Sequence, residues 1–131
     1  TQARTKNALF LAQSLCDIPL IRIPLPPEGF THAWYKFYGF LRPHLLSDGW
    51  SRSRIISEIN ELGFPAFSGS CSEIYLEKCF QEAGLAPPSR LPVARHLGET
   101  SLMFLVHPTI TYDQLQQYAF AIRTVLMSAT R

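Results

Sequence analysis

The stretch His32-Ala33-Trp34-Tyr35-Lys36-Phe37-Tyr38-Gly39-Phe40-Leu41-Arg42 predicts a β-strand. Successive side chains of a strand point to opposite faces, and aromatic residues, which favour strands, occur on both faces of this one. His32, Trp34 and Lys36 would share one face, opposite Phe37. A strand with aromatic side chains on both faces is expected inside a sheet, with both sides at least partly covered. Pro43 cannot donate a ladder hydrogen bond and is expected to end the strand.

The residues before this strand predict a helix and an edge strand. Residues 3–15 carry apolar side chains at helical spacing and indicate an amphipathic helix. Ile18–Leu25 alternates like a strand, but it contains two prolines and is therefore limited to a sheet edge or an extended segment. Residues 26–29, Pro-Pro-Glu-Gly, are typical of a turn.

The residues after the strand predict a helix, a short strand and a loop. Ser51 or Ser53 can cap a helix whose buried stripe would be formed by Ile55, Ile59 and Leu62, with Gly63 at its end. Residues 64–67 indicate a short strand. It leads into the small-residue loop Ser68-Gly69-Ser70-Cys71-Ser72, and residues 73–83 are expected to be helical.

The C-terminal part predicts two helices around one buried strand. Pro92 suits the first turn of a short helix that ends near Gly98. The apolar run 102–106 indicates the strand. Thr111, with Gln114 three residues later, is a capping-box pattern that opens the last helix. Its buried face should comprise Leu115, Tyr118, Ala119, Ile122 and Leu126.

This order of elements predicts the α+β class. We expect a small, mostly antiparallel sheet of three to four strands, with helices packed mainly on one face. The length of 131 residues suits a single domain spanning residues 1–131. The chain opens at Thr1 without an initiator methionine and enters a helix at once, so we expect it to be part of a longer protein.

Composition narrows the function classes. A net charge of +2 is too small to indicate nucleic-acid binding, and no apolar run approaches the roughly 18 residues of a membrane helix. Cys16, Cys71 and Cys79 form an odd set without close pairing, which favours free thiols in a reducing, cytoplasmic setting. The cysteine and histidine spacings predict no metal site.

Three local patterns have competing interpretations. Cys71 could be a nucleophile paired with a histidine, or a small residue in a tight loop, and the second is more usual. The loop 68–72 could offer amides and hydroxyls to an anion. Residues 34–38 interleave aromatics with Lys36, which suits either stacking on single-stranded RNA or a core strand. On these grounds alone, the chain is a soluble α+β domain of open function.

Four stretches together resemble the C-terminal third of the DegT/StrS family of pyridoxal-phosphate (PLP) sugar aminotransferases. They are Arg4-x-x-Asn7-Ala8, residues 32–38 as a His-x-aromatic-x-x-aromatic strand, residues 54–65, and residues 91–111 with Leu91-Pro92-Val93-Ala94, Ser101-Leu102 and His107-Pro108-Thr109-Ile110-Thr111. They cover nearly the whole chain in the family's order. Two departures concern the substrate: residues 67–75 replace a loop that often contains tyrosine, proline and histidine, and Met103 stands where proline is common.

The resemblance implies the small domain of a fold-type-I aminotransferase. Such an enzyme moves an amino group from glutamate or glutamine to a nucleotide-linked keto-sugar, with PLP as electron sink. The family's Schiff-base lysine, its pyridinium-pairing aspartate and its stacking aromatic lie in the large domain. Lys6, Lys36 and Lys78 do not match the lysine motif. The resemblance therefore assigns no catalytic, cofactor-binding or metal residue to this chain, which alone should be inactive.

The resemblance also implies where this chain meets the substrate. The small domain lines the sugar–nucleotide side of the family's active site, which gives as candidate substrate-binding residues His32, Trp34, Ser68, Ser70, Ser72 and Tyr75. The expected partners are the large domain of the same chain and a nucleotide-sugar. The complete protein should be a homodimer with contacts mainly in the large domain, so this piece could be monomeric with one unusually apolar face. The alternative is a stand-alone α+β binding or interaction module, which a short parent reading frame would favour.

Overall fold

The computed structural model describes all 131 residues. Its five helices, four strands and two 3₁₀ turns are, in chain order, α1 (Gln2–Leu15), β1 (Ile21–Arg22), β2 (Phe37–Leu41), a 3₁₀ turn (Pro43–Leu45), α2 (Arg52–Glu61), β3 (Ala66–Phe67), a 3₁₀ turn (Ile74–Leu76), α3 (Lys78–Glu82), α4 (Pro92–Thr100), β4 (Ser101–Phe104) and α5 (Tyr112–Ala129).

The four strands form one sheet in the order β1-β2-β4-β3, with every neighbouring pair antiparallel. Strands β2 and β4 occupy the centre and pair Phe37 with Phe104 and Gly39 with Leu102. The predicted α+β class, the mostly antiparallel sheet and the strand number are confirmed. The interior position predicted for the aromatic strand is also confirmed.

One face of the sheet carries the core. Phe37 and Phe104 are fully buried with ring centroids 6.5 Å apart, and Leu41 and Ala66 continue this face. Helices α1, α2 and α5 supply buried side chains to the same apolar cluster. The full predicted face of α5 is buried. Burial on this scale accounts for most of the stabilisation available to a domain of this size.

Several predicted helix signals are confirmed. The Ser51 hydroxyl accepts a hydrogen bond from the Arg54 amide at 3.2 Å and caps α2. Thr111 and Gln114 form the reciprocal capping box at the start of α5. Each cap satisfies amide donors that the first helical turn leaves without an internal partner.

The prediction of a strand from His32 was wrong. Strand β2 begins at Phe37, because Trp34 has a φ of +49°, a left-handed conformation that interrupts extended backbone. The predicted alternation fails here as well. The Trp34 side chain is only 5% exposed and stacks on Phe37, with centroids 5.9 Å apart, although a continuous strand would place the two on opposite faces. Burial of the large indole offsets the local strain.

Three smaller predictions were also only partly right. The edge strand predicted for residues 18–25 pairs over Ile21–Arg22 alone, between the prolines that cannot donate. Leu62 is 53% exposed because α2 ends before it and Gly63 turns the chain with a φ of +85°. The helix predicted for residues 73–83 is split, since Glu77 is extended and starts α3 as its N-cap.

Candidate functional site

A groove on the sheet face opposite the core brings several predicted site residues together. Tyr38 and Phe40 alternate with the buried Phe37 along β2 and therefore point to this second face. The groove encloses about 340 Å³ and is lined by Pro24, Leu25, Pro26, His32, Trp34, Lys36, Tyr38 and Phe40. This volume lies at the lower end of the roughly 300–1,000 Å³ typical of small-molecule pockets. No carboxylate lines it.

A hydrogen bond from the Trp34 backbone holds the His32 ring in the groove. The Trp34 amide donates a hydrogen bond to His32 Nδ1 at 2.9 Å, and the two rings lie 4.4 Å apart. Because Nδ1 accepts, the proton of the neutral ring is on Nε2. Nε2 has no partner within the chain, so His32 offers an N–H donor to whatever enters the groove.

Ser70 reaches the groove through Lys36 and Tyr38. The Lys36 ammonium donates to Ser70 Oγ at 2.9 Å, Tyr38 and Ser70 share a hydroxyl–hydroxyl hydrogen bond of 3.2 Å, and the Ser70 amide donates to the Tyr38 hydroxyl oxygen at 3.1 Å. Gly69 makes this approach possible. Its φ is +97°, and a Cβ there would lie 2.5 Å from the Tyr38 ring. The loop 68–72 is therefore held directly against the second face of the sheet.

Ser68 and Ser72 lie in the same loop; none of the three serines lines the groove itself, and only Ser70 bonds to residues that do. The Ser68 carbonyl accepts a hydrogen bond of 2.5 Å from the Ser101 hydroxyl and ties the loop to β4. Ser72 lies against Gly98 of α4, so closely that a Cβ at Gly98 would collide with the serine side chain. Both serines anchor the loop at its two ends.

Tyr75 belongs to a separate polar cluster beyond the loop. Its hydroxyl donates to Glu73 Oε1 at 2.6 Å and accepts from the Leu91 amide at 2.8 Å. Arg90 forms a bidentate ion pair with the same Glu73 carboxylate. The hydrogen bonds from Arg90 and then Tyr75 lower the pKa of Glu73 to about 2, and partial burial together with Glu73 raises the pKa of Tyr75. Both charges and the hydroxyl of this cluster have partners within the chain.

The sequence does not predict Lys36, Tyr38 and Phe40 as candidate site residues. Lys36 and Tyr38 belong there to an aromatic–basic stretch that suits RNA stacking or a core strand, and Phe40 belongs only to the strand. The signal was available, because the alternation of β2 places Tyr38 and Phe40 together on the face away from Phe37. The alternation could not predict that the loop 68–72, from a distant part of the chain, contacts Lys36 and Tyr38.

Cys71 has a contact that argues for its ordinary structural interpretation. Its thiol donates to a Glu77 carboxylate oxygen at 3.6 Å, and no histidine lies beside it. All three cysteines are free and exposed. No three metal-ligating side chains are grouped closely enough to hold an ion. None of the helices combines the length and apolar character needed to cross a bilayer.

The lysines of this chain do not fit PLP. The coenzyme needs a lysine for the Schiff base and a carboxylate for its pyridinium nitrogen. Lys6 is exposed on α1, and Lys78 is exposed and paired with Glu82 on α3. Lys36 lies in a groove without a carboxylate. These residues therefore do not provide the lysine and the carboxylate that the coenzyme needs.

Comparison with known proteins finds a relative of substantial sequence identity among the solved structures. No protein-family model and no curated protein sequence matches the chain. Among solved structures, an aminotransferase from Psychrobacter cryohalolentis is 47% identical and superposes with a TM-score of 0.92. The match covers 98% of this chain and 35% of that one.

Two further structures share the fold at lower identity. A DegT DnrJ EryC1 StrS aminotransferase from Brucella abortus is 20% identical over 94% of this chain and 30% of its own, with a TM-score of 0.75. An E. coli GDP-4-keto-6-deoxy-D-mannose-3-dehydratase with bound hydrated PLP is 15% identical over 92% of this chain and 30% of its own, with a TM-score of 0.72.

The chain thus spans about a third of the length of the proteins that it matches. The matched part is their C-terminal portion, as the order of motifs in the sequence had predicted. The chain is thus related in sequence to an aminotransferase and matches in structure the C-terminal third of aminotransferases of the DegT/DnrJ/EryC1/StrS type.

Proposed function

We propose that this chain is the C-terminal part of a PLP-dependent aminotransferase that transfers an amino group to a nucleotide-linked keto-sugar. The 47% identity to an aminotransferase supports the reaction class. A dehydratase of the same fold, which acts on a GDP-linked keto-sugar and holds PLP, supports the coenzyme and the type of substrate. The contribution of this chain is to line the side of the active site that receives the sugar.

The observation that carries this proposal is the set of groups left free in the groove. His32 Nε2 has no partner within the chain and can donate to a sugar hydroxyl or a phosphate oxygen. The Phe40 ring, with Pro24, Leu25 and Pro26, supplies an apolar wall, against which a sugar or base can pack. Ser70 closes one end through its contacts with Lys36 and Tyr38.

We assign Ser68, Ser72 and Tyr75 a supporting part in substrate binding. Their contacts hold the loop that carries Ser70 in place, from β4, α4 and the start of α4 respectively. A loop positioned before the ligand arrives loses less conformational entropy when it binds. The groups that perform amino transfer belong to the remainder of the protein. That remainder can also pack against apolar side chains of this chain, since Phe30 and Phe120 are 73% and 72% exposed.

The test is a kinetic comparison of His32→Ala with wild type in the complete enzyme, using glutamate and a nucleotide-linked keto-sugar. We expect the Michaelis constant for the sugar to rise about tenfold, as one hydrogen bond to a charged or strongly polar group is lost, with kcat changed little. His44→Ala is the matched control, because His44 is exposed in the 3₁₀ turn outside the groove.

The 131-residue chain is assayed beside the complete enzyme and should show no turnover. An unchanged Michaelis constant in His32→Ala would remove the groove from the substrate site. A parent protein without a PLP-binding portion would instead favour the stand-alone binding module.

A further inference from the structure

We propose that Lys36, oriented by Ser70 and Tyr38, forms an anion-binding subsite that takes the diphosphate of the nucleotide-linked substrate. This inference rests on the proposed function and adds to it a chemical group of the substrate and a residue that receives it.

The cluster of Lys36, Tyr38 and Ser70 has unused hydrogen-bond donors beside the groove. A lysine ammonium has three N–H donors, and Lys36 uses one on Ser70 Oγ. Tyr38 and Ser70 have two hydroxyl protons and one hydroxyl–hydroxyl hydrogen bond between them. Whichever of the two donates, one hydroxyl proton is left over. Two N–H groups and one O–H group therefore remain for a ligand. An oxyanion suits them best, because its oxygen atoms can accept hydrogen bonds from all three.

The charge of Lys36 is not neutralised within the chain. The chain has 12 lysines and arginines. The six that form salt bridges are Arg54, Lys78, Arg90, Arg95, Arg123 and Arg131. Lys36 is outside this set and is the cation that lines the groove.

The lining of the groove adds a further donor and no competing acid. His32 presents Nε2–H from the same wall, as described above. The carboxylate nearest in sequence is Glu28, which is exposed and does not line the groove. Positive charge with free donors and no carboxylate is the composition expected of a phosphate subsite, where a lysine acts as a point charge. The apolar wall beside it suits the apolar faces of a sugar or base.

The subsite also explains the close packing of the loop onto the sheet. Gly69 allows the loop to approach Tyr38, so that the Ser70 amide bonds the tyrosine hydroxyl. Without this approach Lys36 would be a mobile surface side chain. With it, the ammonium is held at one place, and less side-chain entropy is lost on binding.

The test is the binding of inorganic pyrophosphate to the 131-residue chain, followed through the NMR signals of the Ser70 amide and the Trp34 indole. A single ammonium with hydroxyl donors should give a dissociation constant on the order of 1 mM at low salt. Lys36→Met should weaken it about tenfold, whereas Lys36→Arg should retain most of it. Lys6→Met is the control for loss of one positive charge, since Lys6 likewise forms no salt bridge but lies on α1, outside the groove.

Each outcome decides for or against the subsite. Selective loss in Lys36→Met, with Lys6→Met unchanged, supports it. An equal loss of pyrophosphate affinity in both variants would show diffuse attraction to positive charge and would overturn the proposal. Ser70 and Trp34 signals that do not shift with pyrophosphate would show that no site exists, and would overturn it as well. The measurement needs no turnover, so its failure is distinct from that of the proposed function, which the kinetics of His32→Ala decide.

Discussion

Two polar clusters flank the loop of residues 68–72, and they differ in how their hydrogen-bonding groups are used. In the cluster of Glu73, Tyr75 and Arg90, each charge has its counter-charge and each hydroxyl its partner. In the cluster of Lys36, Tyr38 and Ser70, the ammonium has no carboxylate and donors are left over. The first cluster is closed and the second is open.

The difference shows that residue type alone does not identify a binding group. Tyr75 and Ser70 were both candidate substrate contacts from the sequence, and both are polar residues of one loop region. Unused donors in a groove have their binding capacity available, whereas a paired group must first break an internal bond. We therefore propose that the closed cluster fixes the loop and the open cluster contacts the ligand.

The largest expected effect on this arrangement comes from Gly69→Ala. The alanine would have to adopt the positive φ of Gly69, and its methyl group would collide with the Tyr38 ring. We expect unfolding to be easier by about 1–3 kcal/mol, and the Ser70 contacts to be lost. Urea denaturation measures the first effect, and the NMR shift of the Ser70 amide the second.

Gly63→Ala separates the two causes of this loss. Gly63 has a similarly positive φ of +85°, but nothing lies within 4 Å of the added Cβ. It should therefore show only the backbone cost of about 1 kcal/mol. Equal losses in the two variants would show that the loop does not depend on close contact with Tyr38.

A smaller effect is expected from the ion pair of the closed cluster as pH falls. The folded pKa of Glu73 is about 2, below its ordinary 4.5, because Arg90 and Tyr75 donate to the carboxylate. A lowered folded pKa adds stability above pH 4.5 and loses it as pH falls toward 2. The stability difference between wild type and Glu73→Gln should be constant near neutrality and shrink between these values. Denaturation curves across this range measure it, and a difference independent of pH would argue against the ion pair.

Most of the fold could be predicted because its signals are local. The caps at Ser51 and Thr111, the buried face of α5 and the antiparallel class follow from residue types a few positions apart. The start of β2 could not be found this way. An alternating aromatic run does not reveal that Trp34 takes a left-handed conformation to reach the core beside Phe37.

The candidate site was less predictable because it joins distant segments. His32 and Trp34 were named from the sequence, and both line the groove. Lys36 was not, since its role depends on Ser70, which lies 34 positions away. The internal pairing of Tyr75 depends on Arg90 and Leu91. Which donors are left free is a property of the folded chain and has no local signature.

The central claim is tested most directly by the Michaelis constants of Ser70→Ala and Tyr75→Phe for a nucleotide-linked keto-sugar, measured side by side in the complete enzyme. Ser70→Ala should raise the constant about fivefold, because one net hydrogen bond of the open cluster is lost. Tyr75→Phe should change it much less, because the contacts of Ser68 and Ser72 still hold the loop, while lowering the thermal unfolding midpoint. A Michaelis constant that rises in Tyr75→Phe and stays at the wild-type value in Ser70→Ala would contradict the account.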